Sequence, residues 1–215
     1  MSHHLQVDLV FSFVSAFHVT GERAHLWADK TLVMDWQEGK RPLVPATTLK
    51  GWLRESAERL LRGLGHGVCD SSRAHTVCGS CLVCMIFGSP RRRSPLYFFD
   101  ALLEEPTTDV RMNVSLSRYR KAAYEERLFS TEVAWSPSFR ARIEGWFSDL
   151  SEARKASVLI VLAAKASYAL GAARSRGLGW ARLSDQSVKV DGEEIPHSTL
   201  LKEISNLGME ADVAS

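Results

Sequence analysis

A glycine-rich segment, GAARSRGLGWAR at residues 171–182, organises the second half of the chain. It alternates two residue types: Gly171, Gly177 and Gly179 with Arg174, Arg176 and Arg182. Glycine allows tight turns and a close approach of backbone amides to a ligand, while guanidinium groups match phosphate. A simple turn between a helix and a strand would also contain glycine. The interleaved arginines favour binding to a nucleic-acid backbone.

The regions on either side of this segment show regular periodicity. Before it, Asp149 and Glu152 form a capping box for a helix that we expect to end near Leu170. After it, residues 177–190 and the Asp191-Gly192 turn predict a last pair of strands.

The first half of the chain supplies one strand and one helix. Residues 7–17 alternate apolar and polar side chains, as a half-buried strand does. Apolar residues then recur at helical spacing from Leu49 to Leu64, with Thr47 or Thr48 as the expected N-cap. Two further strand regions are predicted at residues 96–103 and 129–147, the latter bent at Ser136-Pro137-Ser138.

The predicted order is strand, helix, strand, strand, helix, strand. This is the α+β, ferredoxin-like βαββαβ arrangement on which RRM domains are built. We expect a single domain, residues 1–215, with two insertions: a cysteine-bearing loop at 65–95 and a polar, basic segment at 107–130. The apolar residues of the second insertion favour a β-hairpin over a disordered loop.

Composition sets limits on the kind of partner. The formal charge is only +2, but arginines cluster while acidic residues concentrate elsewhere, so a basic face is compatible with near neutrality. No apolar run reaches the length that a membrane span needs, and no signal-peptide core is present, so we expect a cytoplasmic protein without a membrane partner.

All four cysteines fall within sixteen residues: Cys69, Cys78, Cys81 and Cys84. This C-x8-C-x2-C-x2-C spacing fits a tetrahedral, structural Zn²⁺ site. Disulfides are the alternative, but they are rare in the cytoplasm. His66 and His75 lie nearby, and either could replace one thiolate. The run Arg91-Arg92-Arg93 follows, either as a solvated surface or as a phosphate contact beside the metal site.

Five stretches, in order along the chain, resemble the RAMP superfamily of CRISPR proteins (repeat-associated mysterious proteins). They are Val44–Arg54 (VPATTLKGWLR), Cys84–Gly88 (CMIFG), Leu96–Ala101, Val114–Glu132, and Arg174–Trp180 with its Ser-Arg-Gly-x-Gly pattern. Ala46 stands where the family has glycine, and threonines replace serines. The similarity is greatest to the backbone subunits of type III effector complexes.

The resemblance implies a guide-RNA-binding subunit for antiviral defence. Copies of such a subunit stack along the CRISPR guide RNA with other effector subunits, and a thumb hairpin displays the guide in short segments for pairing with target RNA. In this sequence the implied RNA contacts include Lys50 and Arg54 at the first helix. The others are Arg91, Arg92 and Arg93; Arg111, Arg118, Arg120 and Lys121 on the thumb; and Arg174, Arg176, Gly177 and Gly179 in the glycine-rich turn.

The resemblance also places Asp29 where the family has a catalytic aspartate, although Lys30-Thr31 replaces its Asn-Pro. We expect Asp29 to recruit a divalent cation such as Mg²⁺, or to assist proton removal, while the ribose 2′-OH attacks the adjacent phosphate. A solvated loop carboxylate is the alternative, and Asp35 is a second candidate that more readily caps a turn.

Three hypotheses remain open at this stage. The chain is a metal-dependent endoribonuclease acting on target RNA, the same RNA-binding subunit without cleavage, or a guide-processing RAMP endonuclease. The third would use a general acid or base, for which His18 and His25 are the candidates. The helix that begins at Lys50-Gly51 and the thumb favour the stacking subunit.

Overall fold

The computed structural model describes residues 2–22, 26–196 and 199. The strands are β1 (His3–Phe13), β2 (Leu43–Val44), β3 (Leu96–Phe98), β4 (Ala101–Leu102), β5 (Thr107–Ser117), β6 (Ala122–Trp135), β7 (Ser138–Phe147), β8 (Ala181–Val190) and β9 (Glu193–Glu194). The helices are α1 (Ala46–Gly63), α2 (Leu82–Phe87) and α3 (Leu150–Ala166), and a short 3₁₀ turn spans Arg174–Arg176.

The main sheet is antiparallel and has the strand order β3-β7-β1-β8-β9. Alternate residues of β1 are buried, from Leu5 to Phe13, as the period-two pattern predicts. Helices α1 and α3 pack against each other, and α3 contacts β1, β7 and β8, so one face of the sheet forms the core. The fold is thus α+β with an antiparallel sheet. No helix among the described residues is long and apolar enough to cross a bilayer.

The predicted first strand ended at Phe17, but β1 ends at Phe13. Val14 and Ser15 instead donate their backbone N–H groups to the Trp180 carbonyl oxygen, and Phe17 pairs with Ala134. The chain therefore leaves the sheet to cross over the glycine-rich segment.

The two long helices differ in how well their ends were predicted. Asp149 caps α3 by accepting from the Ser151 backbone N–H at 3.3 Å, which agrees with the predicted start. The predicted N-cap of α1 at Thr47 or Thr48 was wrong, because Pro45 occupies that position without a side-chain cap. The Asp100 carboxylate, 54 residues away, accepts from the Ala46 N–H at 2.7 Å instead.

Helix α3 ends at Ala166 and does not reach Leu170 as predicted. Residues 167–170 leave the helical conformation and run alongside residues 179–181. The Leu170 N–H donates to the Gly179 carbonyl, and the Ala181 N–H donates to the Tyr168 carbonyl. This pairing fixes the glycine-rich segment against the end of the helix.

The segment at 107–135 forms a long hairpin of β5 and β6, which we call the thumb hairpin. Most of its side chains are exposed, but residues 130–134 at its base are buried. The base is buried because the loop after β1 packs along it, with Lys30 bridging to Thr131 in parallel orientation.

Candidate nucleic-acid interface

Asp29 lies at the base of the thumb hairpin and is anchored there by Ser130. One carboxylate oxygen, Oδ2, accepts from the Ser130 backbone N–H at 2.7 Å and from its hydroxyl at 2.9 Å. The Asp29 N–H donates to the same hydroxyl at 2.9 Å. These hydrogen bonds, the backbone one above all, lower the pKa of the Asp29 carboxyl, so it is ionised at neutral pH. Asp29 is an exposed residue, so solvent or a ligand can reach its carboxylate.

The same loop is held by Glu132, which is 8% exposed. Its Oε2 accepts from the Leu32 N–H at 3.0 Å, and its backbone N–H donates to the Lys30 carbonyl at 2.8 Å. Asp29 is therefore followed by two residues, Lys30 and Leu32, that are hydrogen-bonded to Glu132 of β6, and these bonds restrict its position relative to the thumb.

His18 is a buried link between the thumb and the glycine-rich segment. Its Nδ1 lies 2.6 Å from the Glu132 carbonyl oxygen, and its Nε2 lies 3.0 Å from the Thr20 hydroxyl. Because a carbonyl only accepts, Nδ1 carries the proton and Nε2 of the neutral ring accepts from Thr20. Burial lowers the pKa of His18, which agrees with the neutral form. With 1% exposure and both nitrogens engaged, His18 has no path to a substrate. His25, the other candidate histidine, lies outside the described residues.

The glycines of the segment 171–182 serve different purposes. A Cβ at Gly179 would overlap the Leu170 carbonyl oxygen, and one at Gly171 would overlap that of His18. These two glycines permit close contact of the chain with itself. Gly177 also has a left-handed backbone, with φ of 85°, but nothing lies within 4 Å of the space a Cβ would fill. Of the three glycines, Gly177 is the one whose surroundings leave room for a ligand.

The arginines of this segment are exposed, but Arg174 has a partner. Its guanidinium donates to the Glu55 carboxylate on α1 at 2.9 Å. Both side chains are more than one third exposed, so this ion pair holds the turn only weakly. Arg176 forms no side-chain hydrogen bond or ion pair with the rest of the described chain and stays available to a polyanion.

Lys50 lies in the first turn of α1, and the free positive end of a helix favours phosphate. The Asp100 carboxylate already occupies that end through Ala46, so the local field is partly neutralised. The Lys50 ammonium lies 5.9 Å from the centroid of the Phe98 ring, and burial lowers its pKa.

Arg54 is engaged on three sides inside the protein. Its Nε donates to Glu58 at 2.9 Å, one terminal nitrogen donates to the Gly88 carbonyl at 2.6 Å, and the other lies 3.6 Å from Cys84 Sγ. The guanidinium thus connects α1 with the turn after α2. This arrangement favours a structural role for Arg54 over a contact with RNA.

The four cysteine sulfurs lie within 4.8 Å of one another and form a group that could hold a metal ion. Cys69 Sγ is 3.7 Å from Cys81 Sγ and 3.5 Å from Cys84 Sγ, far longer than a disulfide bond of about 2.05 Å. Zinc–sulfur bonds of about 2.3 Å place tetrahedral sulfurs about 3.8 Å apart, so the donor set fits that ion. Among the described residues, neither His66 nor His75 belongs to the group.

The hydrogen bonding around the sulfurs also fits a metal site. Backbone N–H groups of Ser80 and Cys81 donate to Cys78 Sγ and lower the pKa of that thiol to about 6. Burial raises the pKa of Cys69 to about 12 and also raises that of Cys84. Two thiols are therefore hard to ionise in the protein alone, and the charge of a bound cation would favour their thiolate forms.

The predicted thumb cations lie on the hairpin or at its tip: Arg111, Arg118, Arg120 and Lys121. Exposed apolar and aromatic side chains lie among them, including Tyr119 at 96% exposure, Leu116 and Leu128. A surface that mixes cations with accessible rings is typical of contacts to single-stranded nucleic acid. By contrast, Arg91, Arg92 and Arg93 lie away from the thumb, in the turn between α2 and β3.

Two features of the site were missed from the sequence. Nothing local marks Ser130 as the anchor of Asp29, because the two residues are 101 positions apart. Glu58, which is buried beside Arg54, was not identified from the sequence either. The arginines at positions i−4 and i+4 from it, Arg54 and Arg62, were the available indication of a buried ion pair.

A family model described as the RAMP superfamily matches residues 36–182, more than half of the chain. The chain therefore belongs to the RAMP superfamily. No curated protein matches it. Among matching solved structures is a chain of the type III-B Cmr-beta bound to cognate target RNA, 17% identical, with a TM-score of 0.58. The match covers 86% of this chain but only 60% of that one, so this protein spans less than two thirds of its length. At this identity the likeness is one of fold.

Proposed function

We propose that this protein is a guide-RNA-binding backbone subunit of a type III-like CRISPR effector complex and acts in the cytoplasm. Membership of the RAMP superfamily supports this, as does the fold shared with a chain of a Cmr complex bound to target RNA. The partners we propose are guide RNA, target RNA, further copies of this chain and other effector subunits. The ferredoxin-like assignment belongs to the same proposal and is supported by the sheet order β3-β7-β1-β8 with α1 and α3 on one face.

The proposed RNA contacts are phosphate contacts and stacking rather than base readout. They comprise Lys50, Arg111, Arg118, Arg120 and Lys121, and, in the glycine-rich turn, Arg174, Arg176 and Gly177. Arg91, Arg92 and Arg93, in the turn before β3, are a further proposed phosphate contact. Each phosphate contact adds to the salt dependence of binding. Replacing Arg118, Arg120 and Lys121 together by alanine should therefore weaken binding to single-stranded RNA and flatten its dependence on salt concentration.

We further propose that the subunit cleaves paired target RNA at Asp29. The observation that carries this is the anchored carboxylate: Oδ2 is fixed by Ser130 at the base of the thumb, while the residue itself is exposed and accessible to RNA. In the reaction, the 2′ oxygen bonds to the adjacent phosphorus while the bond to the 5′ oxygen breaks. The products are a 2′,3′-cyclic phosphate and a free 5′-hydroxyl, and the proton lost from the 2′-OH is balanced by one gained by the leaving oxygen.

The lowered pKa of Asp29 favours one of its two suggested roles. A carboxylate made less basic by two hydrogen bonds is a poor acceptor for the 2′-OH proton. It remains a good oxygen ligand for a divalent cation such as Mg²⁺, which would neutralise charge on the phosphate. Asp29 would then hold the ion, and the thumb would hold the kinked strand in line for attack.

The test is cleavage of guide-matched target RNA by the assembled complex carrying Asp29→Asn. Asparagine keeps the size of the side chain and an oxygen for Ser130 but loses the charge. We expect RNA binding to be retained and cleavage to fall at least about 100-fold, in the range for loss of a charged catalytic group. Glu38→Gln, an exposed carboxyl elsewhere on the same loop, is the matched control and should cleave normally.

Unchanged cleavage by Asp29→Asn would eliminate its catalytic role. If the unaltered complex binds target RNA but never cuts it, the subunit is a binding module only. The guide-processing alternative loses its main residue, because His18 is buried with both nitrogens engaged. Cutting of guide precursor by the isolated chain would revive that alternative.

The cysteine cluster completes the proposal as a structural Zn²⁺ site held by Cys69, Cys78, Cys81 and Cys84. Its support is the donor geometry and the Arg54 link from α1 to Cys84. We propose that residues 65–95 form this insertion within a single domain spanning residues 1–215, and that residues 107–130 belong to the thumb insertion. Bound zinc would supply the folding energy that a polar loop of this length lacks.

A further inference from the structure

The face of the main sheet opposite the helices carries an unassigned group of aromatic and arginine side chains. Along β7, buried residues alternate with the exposed Arg140, Arg142 and Trp146, so these three lie on the outer face. On the neighbouring strand, Tyr97 is likewise exposed between two more buried residues. We call the group Arg93, Tyr97, Phe99, Arg142 and Trp146 the aromatic–arginine face.

Its members contact one another while staying accessible. Trp146 meets the Tyr97 ring edge-on, with centroids 5.6 Å apart, and the guanidiniums of Arg93 and Arg142 lie 5.9 Å from the ring centroids of Tyr97 and Phe99. The three rings retain 46%, 44% and 48% exposure at Tyr97, Phe99 and Trp146. Large rings left half accessible and interleaved with guanidinium groups form a platform on which unpaired bases stack.

A cavity adjoins this face at the Trp146 end. Its volume is about 540 Å³, within the usual range for a small-ligand site, and Tyr97, Trp146, Arg92, Arg93 and Lys155 are among its lining residues. The apolar side chains of α2, next to the cysteine cluster, supply another wall. The cavity has room for an unstacked nucleotide beside cations that suit its phosphate.

The charge of this region favours a polyanion over an apolar protein surface. The face and cavity together carry the cations Arg92, Arg93, Arg142 and Lys155, against the acidic Glu152, Glu144 and Asp8, the last of which lies opposite Arg142 on β1. Glu144 is mostly buried and is already paired with Arg142 at 2.5 Å. Guanidinium groups lie over the Tyr97 and Phe99 rings, so the exposed surface mixes cations with aromatic rings rather than forming one continuous apolar patch.

We propose that the aromatic–arginine face and the adjoining cavity bind a short segment of single-stranded RNA, of two or three nucleotides. This is a second contact, distinct from the thumb. Trp146 lies eight residues along β7 from Ser138, where the strand leaves the thumb hairpin, a separation of about 27 Å. The inference rests on the proposed function for RNA as the ligand and for Arg92 and Arg93, but it does not depend on Asp29 or the thumb.

The test is ultraviolet crosslinking of the purified full-length chain to short oligouridine, with mass spectrometry of the linked peptides. We expect crosslinks within residues 93–99 or 142–147. Binding is measured in parallel for Tyr97→Ala and Trp146→Ala, each expected to weaken affinity about 5- to 100-fold, in keeping with the loss of one stacked base. Trp146→Phe keeps an aromatic ring and should stay within a few-fold of the unaltered chain. Trp36→Ala, an exposed tryptophan on the loop before β2, is the control.

The thumb must not mask the result, so the same variants are also measured in a chain whose Arg118, Arg120 and Lys121 are all alanine. Residual binding there that still depends on Tyr97 and Trp146 supports the second contact, even if the thumb proposal fails. Crosslinks absent from both peptides, together with unchanged affinity of the alanine variants, would overturn it. So would variants that alter self-association in sedimentation while RNA affinity is unchanged, because the face would then bind protein.

Discussion

Replacing Gly179 by alanine should destabilise the protein far more than the same change at Gly177. Both residues have left-handed backbones, with φ of 78° and 85°, which cost alanine about 1–2 kcal/mol. At Gly177 nothing else is lost, since the space is open. At Gly179 the new Cβ overlaps the Leu170 carbonyl oxygen, so the strands must separate. That movement weakens the 2.9 Å Leu170-to-Gly179 and 2.8 Å Gly179-to-Ala16 hydrogen bonds, at about 0.5–1.5 kcal/mol each.

The expected loss in the free energy of unfolding is therefore about 1–2 kcal/mol for Gly177→Ala and about 2–5 kcal/mol for Gly179→Ala. Denaturant titration followed by far-ultraviolet circular dichroism measures both. RNA affinity, measured under conditions where both variants are folded, separates a ligand-binding role from a packing role. Relative to the stability that each variant loses, we expect Gly177→Ala to lose more RNA affinity than Gly179→Ala. Equal destabilisation by the two variants would show that the overlap with Leu170 is relieved at no cost, and the reasoning about Gly179 would fail.

Three further predictions concern the cysteine cluster, Arg54 and His18. The purified protein should contain one zinc per chain, and chelation should make all four thiols reactive to a thiol reagent; substoichiometric zinc with thiols already reactive would contradict this. Arg54→Met should lower the free energy of unfolding by about 2–4 kcal/mol, because it leaves the Glu58 carboxylate, 6% exposed, without its closest cation. Arg174→Met, which breaks the exposed ion pair with Glu55, should lower the free energy of unfolding by only about 0–1 kcal/mol. Equal losses for Arg54→Met and Arg174→Met would refute burial as the cause. The pKa of His18 is below 6.5 in the fold, so the unfolded chain binds its proton first and stability falls as pH drops below 6.5; His18→Gln should remove that part of the pH dependence of denaturant unfolding.

The local sequence was sufficient to predict the elements whose burial follows a regular period. The alternation in β1, the apolar spacing of α1 and the capping residue of α3 all identify elements present in the structure. Their ends were less predictable, because distant residues determine them. Asp100 caps α1, and Gly179 draws the end of α3 into an extended strand. Helix α2 was predicted as loop, since its six residues are too few to show a helical period.

The candidate site divides in the same way. The spacing of the four cysteines is typical of a metal site, and it predicted the cluster that the structure forms. Asp29 could be identified as a candidate, but not its anchor, because the contact with Ser130 depends on how a loop packs along a hairpin 101 residues away. Arg54 could likewise be named as a candidate cation, but not its partners, the main chain of Gly88 and the buried carboxylate of Glu58.

The short segment from Ala16 to His18 explains why the glycine-rich segment and the thumb should respond together. Gly179 donates to the Ala16 carbonyl, Ala172 donates to the His18 carbonyl, and Phe17 pairs with Ala134 on β6. A substitution that displaces the glycine-rich segment will therefore move the Ala16–His18 segment, which contacts Glu132. Through Glu132 it will also move the loop that carries Asp29. Loss of cleavage in a Gly171 or Gly179 variant would thus be expected even if neither glycine touches RNA. A direct contact between the glycine-rich segment and RNA should be sought at Arg176 and Gly177, because substitutions there leave the Ala16–His18 segment in place.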